Sequence, residues 1–165
     1  MSEHQKPRHA RDSRVSLAII TEVGQANPYG NIHGGVILRL ADECGALAAL
    51  RHAEGHEITT AAIDSMTFLG PIHVGERIEL IAEVTHVGRT SVESRIDIYA
   101  EPLPTPTRRH VAIGYGLYVA LDEQGKPAPV RPLLIESDED RRREAAAKAR
   151  QAVRLARRAE AQHEL

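Results

Sequence analysis

Asp42 has the neighbours that suit a carboxylate for acid–base chemistry. It lies in the run Asn31 to Leu50, where Val36, Ile37, Leu38, Leu40, Ala41, Cys44, Leu47 and Leu50 point in nearly every direction at about 100° per residue. A helix apolar all round belongs inside a core. On the same wheel Gly35, Leu38, Ala46 and Ala49 fall within about 40° of Asp42. Small and apolar side chains cannot hydrate a carboxylate, so such a group either finds a partner or stands ready to take a proton. The competing reading is a solvent-facing stripe, because Arg39 and Glu43 form an i, i+4 pair beside it, worth about 0.3 kcal/mol on a surface.

Two glycines open this helix, Gly34 and Gly35, at about 1 kcal/mol each relative to alanine. Either they let a ligand approach the backbone N–H groups at the positive end of the helix, or they serve a tight strand-to-helix junction. Both readings stand on the sequence alone. The turn-rich stretch Gly24 to Asn31 delivers the chain to this point.

The elements that must position these residues follow in order. Val15 to Val23 is a β-rich apolar run, and after Gly55 a second one extends from Glu57 to Leu69, ended by Gly70-Pro71. Arg77 to Val84 alternates polar and apolar residues, and Ser91 to Tyr99 does the same after the turn at Val87 to Thr90, so the two form a hairpin. His110 to Leu121 is the last strand. One strand, a long helix and four turn-linked strands make an α+β protein, an antiparallel sheet with the helix lying across it.

With 165 residues the chain suits one domain with a tail. Residues 1–13 are polar and expected to be flexible, residues 14–135 form the domain, and residues 136–165 form a charged C-terminal helix. In that tail Ala145, Ala149, Ala152, Val153 and Ala156 make an apolar stripe too thin for a core, so the helix is expected to pack against a neighbouring subunit. A net charge of −2, with basic clusters interspersed by acids, argues against nucleic acid and anionic membrane as partners, and no apolar run is long enough to span a bilayer. The single cysteine, Cys44, rules out an intramolecular disulfide or a cysteine metal cluster, and no metal ligand set is expected. The polar N-terminus has no secretory h-region, which makes the cytoplasm the expected location.

Four motifs then occur in order: Asn27-Pro28-Tyr29-Gly30-Asn31-Ile32-His33-Gly34-Gly35, Ala41-Asp42-Glu43, Phe68-Leu69-Gly70-Pro71-Ile72-His73-Val74-Gly75-Glu76, and Gly88-Arg89-Thr90-Ser91. As a set they resemble the hotdog-fold acyl-CoA thioesterases of the cytosolic (brain-type) and bacterial short-chain group, over roughly residues 15 to 135. The resemblance implies a hotdog, a sheet wrapped around the long helix. It implies a homodimer whose active sites lie between subunits, usually within a trimer of dimers. It implies an acyl-CoA substrate, with no cofactor beyond the coenzyme A that the substrate carries.

Asn31 and Asp42 occupy the positions of the family's catalytic asparagine and aspartate, the latter supplied by the partner subunit. In chemical terms Asp42 would be the general base and the Gly35 N–H, with Gly34 beside it, would polarise the thioester carbonyl. The Asn31 amide would orient water or thioester, though it also suits an N-cap or turn. Arg89, Thr90 and Ser91 carry donors for a nucleotide phosphate or pantetheine amide, and equally suit a bare hairpin turn. Two rivals share the scaffold. A hydratase or dehydratase of acyl thioesters would want an Asp/His pair in the loop where Gln25 stands, and a non-catalytic acyl-CoA sensor would dispense with the base.

Overall fold

The computed structural model describes residues 6–105 and 107–163. In chain order the elements are β1 (Val15–Ile20), α1 (Gly34–Ala53), β2 (Glu57–Phe68), β3 (Glu76–Val87), β4 (Ser91–Pro102), β5 (Arg109–Leu121) and α2 (Asp138–His163). The strands form one sheet in the order β1-β3-β4-β5-β2, with every neighbouring pair antiparallel. The long helix α1 lies across one face of it, as the alternation of β3 and β4 requires. Ile78, Leu80, Ala82 and Val84 of β3 and Val92, Ile96 and Ile98 of β4 are buried beneath the helix.

On β5 the face turned to α1 is made of Ala112, Gly114, Gly116, Tyr118 and Ala120, all buried, while Ile113, Tyr115, Leu117 and Val119 look outward. Small side chains bring helix and sheet close together. Tyr118 is the large exception on that face, and its use is described below.

Two expectations are corrected by the fold, and a third gains detail. First, α1 is not covered all round: Ile37, Leu40, Ala41, Cys44, Ala48 and Ala49 are buried, but Leu38, Leu47 and Leu50 are exposed beside Arg39 and Glu43. One sheet can cover only one side of a helix, so the remaining apolar side of α1 is bare in the single chain. Second, flexibility does not extend through residue 13. Residues 1–5 lie outside the described residues, but the Arg8 N–H donates to the Pro132 carbonyl and the Leu134 N–H to that of Arg8. Ser13 is buried and its Oγ accepts the Val84 N–H at 3.0 Å. Third, α2 packs on the outer face of its own sheet. The alanine stripe is exposed, and the face laid against the sheet is Ala147, Arg150 and Arg154, with Arg150 ion-paired to Glu93 of β4 and Arg154 to Asp64 of β2. Among the described residues no helix is long and apolar enough to cross a membrane.

Candidate active site

The loop before α1 is built around Asn27. Its side-chain Oδ1 accepts the N–H groups of Tyr29 and Asn31 at 2.9 and 3.2 Å, and its own N–H donates to the Asn31 carbonyl at 2.7 Å. Gly30 between them has φ of 80°, a left-handed conformation that disfavours any side chain. A bridge between Asn31 and His73, and a bond from the Ile32 N–H to the Ile72 carbonyl at 2.8 Å, join this loop to the Gly70–Glu76 loop. That second loop is fastened by Glu76, nearly buried, whose carboxylate accepts the His73 N–H at 2.9 Å and pairs with Arg109. Between the two loops lies a cleft of about 440 Å³ lined by Asn31, Gly34, Ile37, Phe68, Leu69 and Ile72.

At the head of the helix His33 is the N-cap, and the Gly35 N–H donates to its Nδ1 at 3.0 Å. The donor expected to meet a thioester carbonyl is therefore occupied by a side chain that reaches back from outside the helix. The glycines also sit at the cleft, since Gly34 lines it.

Asp42 is half-buried and takes no part in the surface ion pair, which forms between Arg39 and Glu43 at 2.6 Å. Its Oδ1 accepts a hydrogen bond from Thr60 Oγ1 of β2 at 3.0 Å, and its backbone carbonyl accepts one from the Tyr118 hydroxyl of β5 at 3.1 Å. Both partners escaped the sequence reading. Burial, then the nearby Asp42, pushes the Tyr118 hydroxyl well above the usual phenol range. Cys44, two residues on, is fully buried and its thiol is pushed up to about 11, mainly by burial, so it is no nucleophile at neutral pH.

Within one chain Asn31 and Asp42 do not meet. From Gly34, at the helix start, to Asp42 the rise is roughly 12 Å along the axis, and Asn31 lies beyond the start. Arg89, Thr90 and Ser91 lie farther still. They form the β3–β4 turn, closed by the Gly88 N–H on the Ser91 carbonyl at 2.8 Å, and the Arg89 carbonyl accepts the Val130 N–H at 3.0 Å. Val87 and Val130 pack with Ala49, so the turn belongs to the far end of α1 from Asn31.

The model of the Thioesterase superfamily matches residues 29–107, a span that contains both Asn31 and Asp42. An uncharacterized acyl-CoA thioester hydrolase of Bacillus subtilis is 31% identical over 138 residues, covering 84% of this chain and 80% of the relative. The chain belongs to the hotdog-fold acyl-CoA thioesterases. The cytosolic acyl coenzyme A thioester hydrolase of Rattus norvegicus is 29% identical over 140 residues, and the match spans 84% of this chain but 36% of that protein. Among solved structures, the acyl-CoA hydrolase of Staphylococcus aureus in complex with butyryl coenzyme A, coenzyme A and coenzyme A disulfide superposes with a TM-score of 0.87 at 29% identity, covering 95% of each chain. An apo-hexameric acyl-CoA thioesterase gives a TM-score of 0.86 at 34% identity, covering 93% of this chain and 98% of the other. As a thioesterase of this fold the chain has the expected five-stranded sheet, central helix and C-terminal helix. Its cleft sits at the head of that central helix.

Proposed function

We propose that the chain hydrolyses acyl-CoA thioesters at a site shared by two copies, with Asp42 from one copy and Asn31 from the other. The observation that carries this reading is the roughly 12 Å of helix rise between Gly34 and Asp42 in one chain. It stands together with the bare apolar face formed by Leu38, Leu47 and Leu50 of α1 and Ile63 and Phe68 of β2. A second copy laid on that face covers these side chains and brings its own Asn31 toward Asp42. Hexameric relatives support further assembly, which in this reading is a trimer of such dimers.

In the reaction Asp42 takes a proton from water and the hydroxide adds to the thioester carbonyl carbon. The oxyanion is held at the first turn of α1 by the Gly34 and Gly35 N–H groups, the carbonyl oxygen displacing His33 Nδ1 from Gly35. The Asn31 amide orients water and thioester. Collapse of the tetrahedral intermediate breaks the C–S bond, and the coenzyme A thiolate takes up a proton, leaving a carboxylic acid. No cofactor enters these steps, because coenzyme A arrives as part of the substrate.

Arg89, Thr90 and Ser91 offer one guanidinium and two hydroxyls to the phosphates of coenzyme A. Lying at the far end of α1, they serve the site of a neighbouring copy. Structures of the Staphylococcus aureus hydrolase include a variant in which an aspartate, the residue type of Asp42, is replaced by alanine. The buried free thiol of Cys44 and the cytosolic naming of the rat relative support a cytoplasmic location.

The test is thiol release from acyl-CoA by purified protein. Asn31→Ala and Asp42→Ala are each expected to be inactive, and mixing them after dissociation and reassociation to restore part of the activity. No recovery despite demonstrated subunit exchange would refute the shared site. A new hydroxyl or double bond without thiol release would mean a hydratase, and saturable binding without turnover a sensor.

A further inference from the structure

Thr60 and Tyr118 are direct partners in the β2–β5 ladder, and both side chains end on Asp42. Thr60 bonds the carboxylate at 3.0 Å and Tyr118 bonds the backbone carbonyl of the same residue at 3.1 Å. Immediately after this rung the ladder slips, between Thr60 and Ala62, so the pair is the last in register before a bulge.

The path of the tyrosine is specific. Its neighbours on the same face of β5 are Gly114, Gly116 and Ala120, and it is buried to 0% exposure. A Cβ on Gly116 or on Gly45 of α1 would overlap the Tyr118 hydroxyl. Two glycines, one on each element, thus clear a channel through which one long side chain crosses from sheet to helix. The hydroxyl could have been left out at no cost to packing, since a phenylalanine fills the same channel. Its presence adds a polar atom to the interior, and that atom finds its partner on Asp42. Any small rotation or slide of α1 would carry the Asp42 carboxylate with it.

We infer that Tyr118 is a positioning residue for the reaction, a peg that fixes the rotation of α1 at Asp42 while Thr60 fixes the carboxylate. The inference rests on the reading of Asp42 as general base. It assigns Tyr118 no contact with substrate, so binding and turnover should separate when the hydroxyl is removed.

Tyr118→Phe deletes the hydroxyl and keeps the ring. It is expected to lower kcat about tenfold, because small misplacements of a catalytic group are amplified in the rate, with KM within about twofold. Ser94→Ala is the matched control, since Ser94 Oγ donates to the Gly45 carbonyl of the same helix at 3.0 Å from an equally buried position. It should soften the fold to a similar degree and leave kcat within about twofold. In an Asp42→Asn background, Tyr118→Phe should cost nothing further. The inference is overturned by a folded Tyr118→Phe enzyme with wild-type kcat, by equal losses in Ser94→Ala and Tyr118→Phe, or by a full additional loss in the Asp42→Asn background. In each of those cases an inactive Asp42→Asn leaves the general base standing. A fully active Asp42→Asn removes the base reading and this inference with it.

Discussion

Glu93, in the middle of β4, is fully buried, and its carboxylate is bonded by Arg150 of α2 at 2.7 Å. Thr85 adds a hydroxyl donor at 2.8 Å, and Arg154, one turn farther along α2, reaches both Glu93 and Asp64 of β2. Two carboxylates and two guanidiniums balance in charge beneath the helix. The guanidinium of Arg150 also lies 3.9 Å from the centre of the Tyr115 ring, whose outward position on β5 is covered in this way. With an exposed alanine stripe α2 has little apolar area to set its place, so the ion cluster sets its register on the sheet.

Breaking such a cluster from one side should therefore be expensive. Arg150→Met leaves Glu93 buried with a weaker set of donors, and the expected loss is about 3 kcal/mol, read as a lower urea midpoint. Replacing both partners, Arg150→Met with Glu93→Leu, should recover much of that loss, since an apolar pair needs no compensation. An unchanged midpoint in Arg150→Met would show that the cluster does not hold α2.

The hidden role of Glu93 illustrates what the sequence can and cannot disclose. The alternation of Ile78, Leu80, Ala82 and Val84 announces which face of β3 is buried, because apolar residues at period two have one explanation. The polar residues between them are ambiguous. Glu93 sits on a face that reads as wet and is covered by a helix whose arginines look identical, as sequence, to solvated ones. Asn31 and Asp42 stood out as candidates by their motifs, but Thr60 did not. The burial of β2 alternates imperfectly and its ladder slips twice, so no period says which way a threonine points. One signal was present and unread: Ser137 and Asp140 stand three apart at the start of α2, and the Asp140 N–H donates to Ser137 Oγ while the Ser137 N–H donates to Asp140 Oδ2, a capping box. Backbone and hydroxyl bonds from Ser137 hold the Asp140 carboxyl down at about 2.

The channel between Gly45 and Gly116 makes a prediction about compensation. Gly45→Ala places a Cβ against the Tyr118 hydroxyl, and the next contacts are Ile96 Cδ1 and Tyr118 Cζ, both at 3.1 Å. The overlap should cost about 1–3 kcal/mol of stability. In Tyr118→Phe the hydroxyl is gone and the two remaining contacts are merely tight, so Gly45→Ala should cost clearly less in that background. Equal melting-temperature losses in the two backgrounds would show that the hydroxyl does not fill this gap.

Glu76 supports the cleft without lining it. Its two oxygens fasten His73 and Arg109, and its carbonyl accepts the N–H and the hydroxyl of Thr21 at 2.9 and 3.0 Å. Glu76→Ala removes the carboxylate from a loop that bridges to Asn31, so it should cost about 2 kcal/mol of stability and lower thioester turnover together. Glu79→Ala, on the outer side of the same strand where the half-buried carboxylate pairs with Arg108 at 2.8 Å, should cost less than about 1 kcal/mol and leave turnover unchanged. Measuring both by thermal melts and thiol release would separate a local brace from a general loss of charge.

His52, in the last turn of α1, is fully buried, with Nε2 3.1 Å from the Arg131 carbonyl and Nδ1 without a partner among the described residues. Burial lowers its pKa below the ordinary 6.5, the Arg131 carbonyl opposes this, and the cations Arg8 and Arg131 add to the lowering while Asp12 works against them. The unfolded chain therefore binds the proton at a higher pH than the folded one. Above about pH 6.5 both states are neutral at this residue and its contribution to stability is whole. As the pH falls from about 6.5 toward the folded value, the unfolded state gains protons first and stability is lost. His86, whose pKa is lowered chiefly by burial, adds to the slope in the same direction. His52→Gln retains a donor for the Arg131 carbonyl and removes the titration, so its melting temperature should fall less steeply than that of the wild type between pH 7 and about pH 5. Parallel curves for the two proteins would mean that acid sensitivity arises elsewhere, with His86→Gln the next variant to measure.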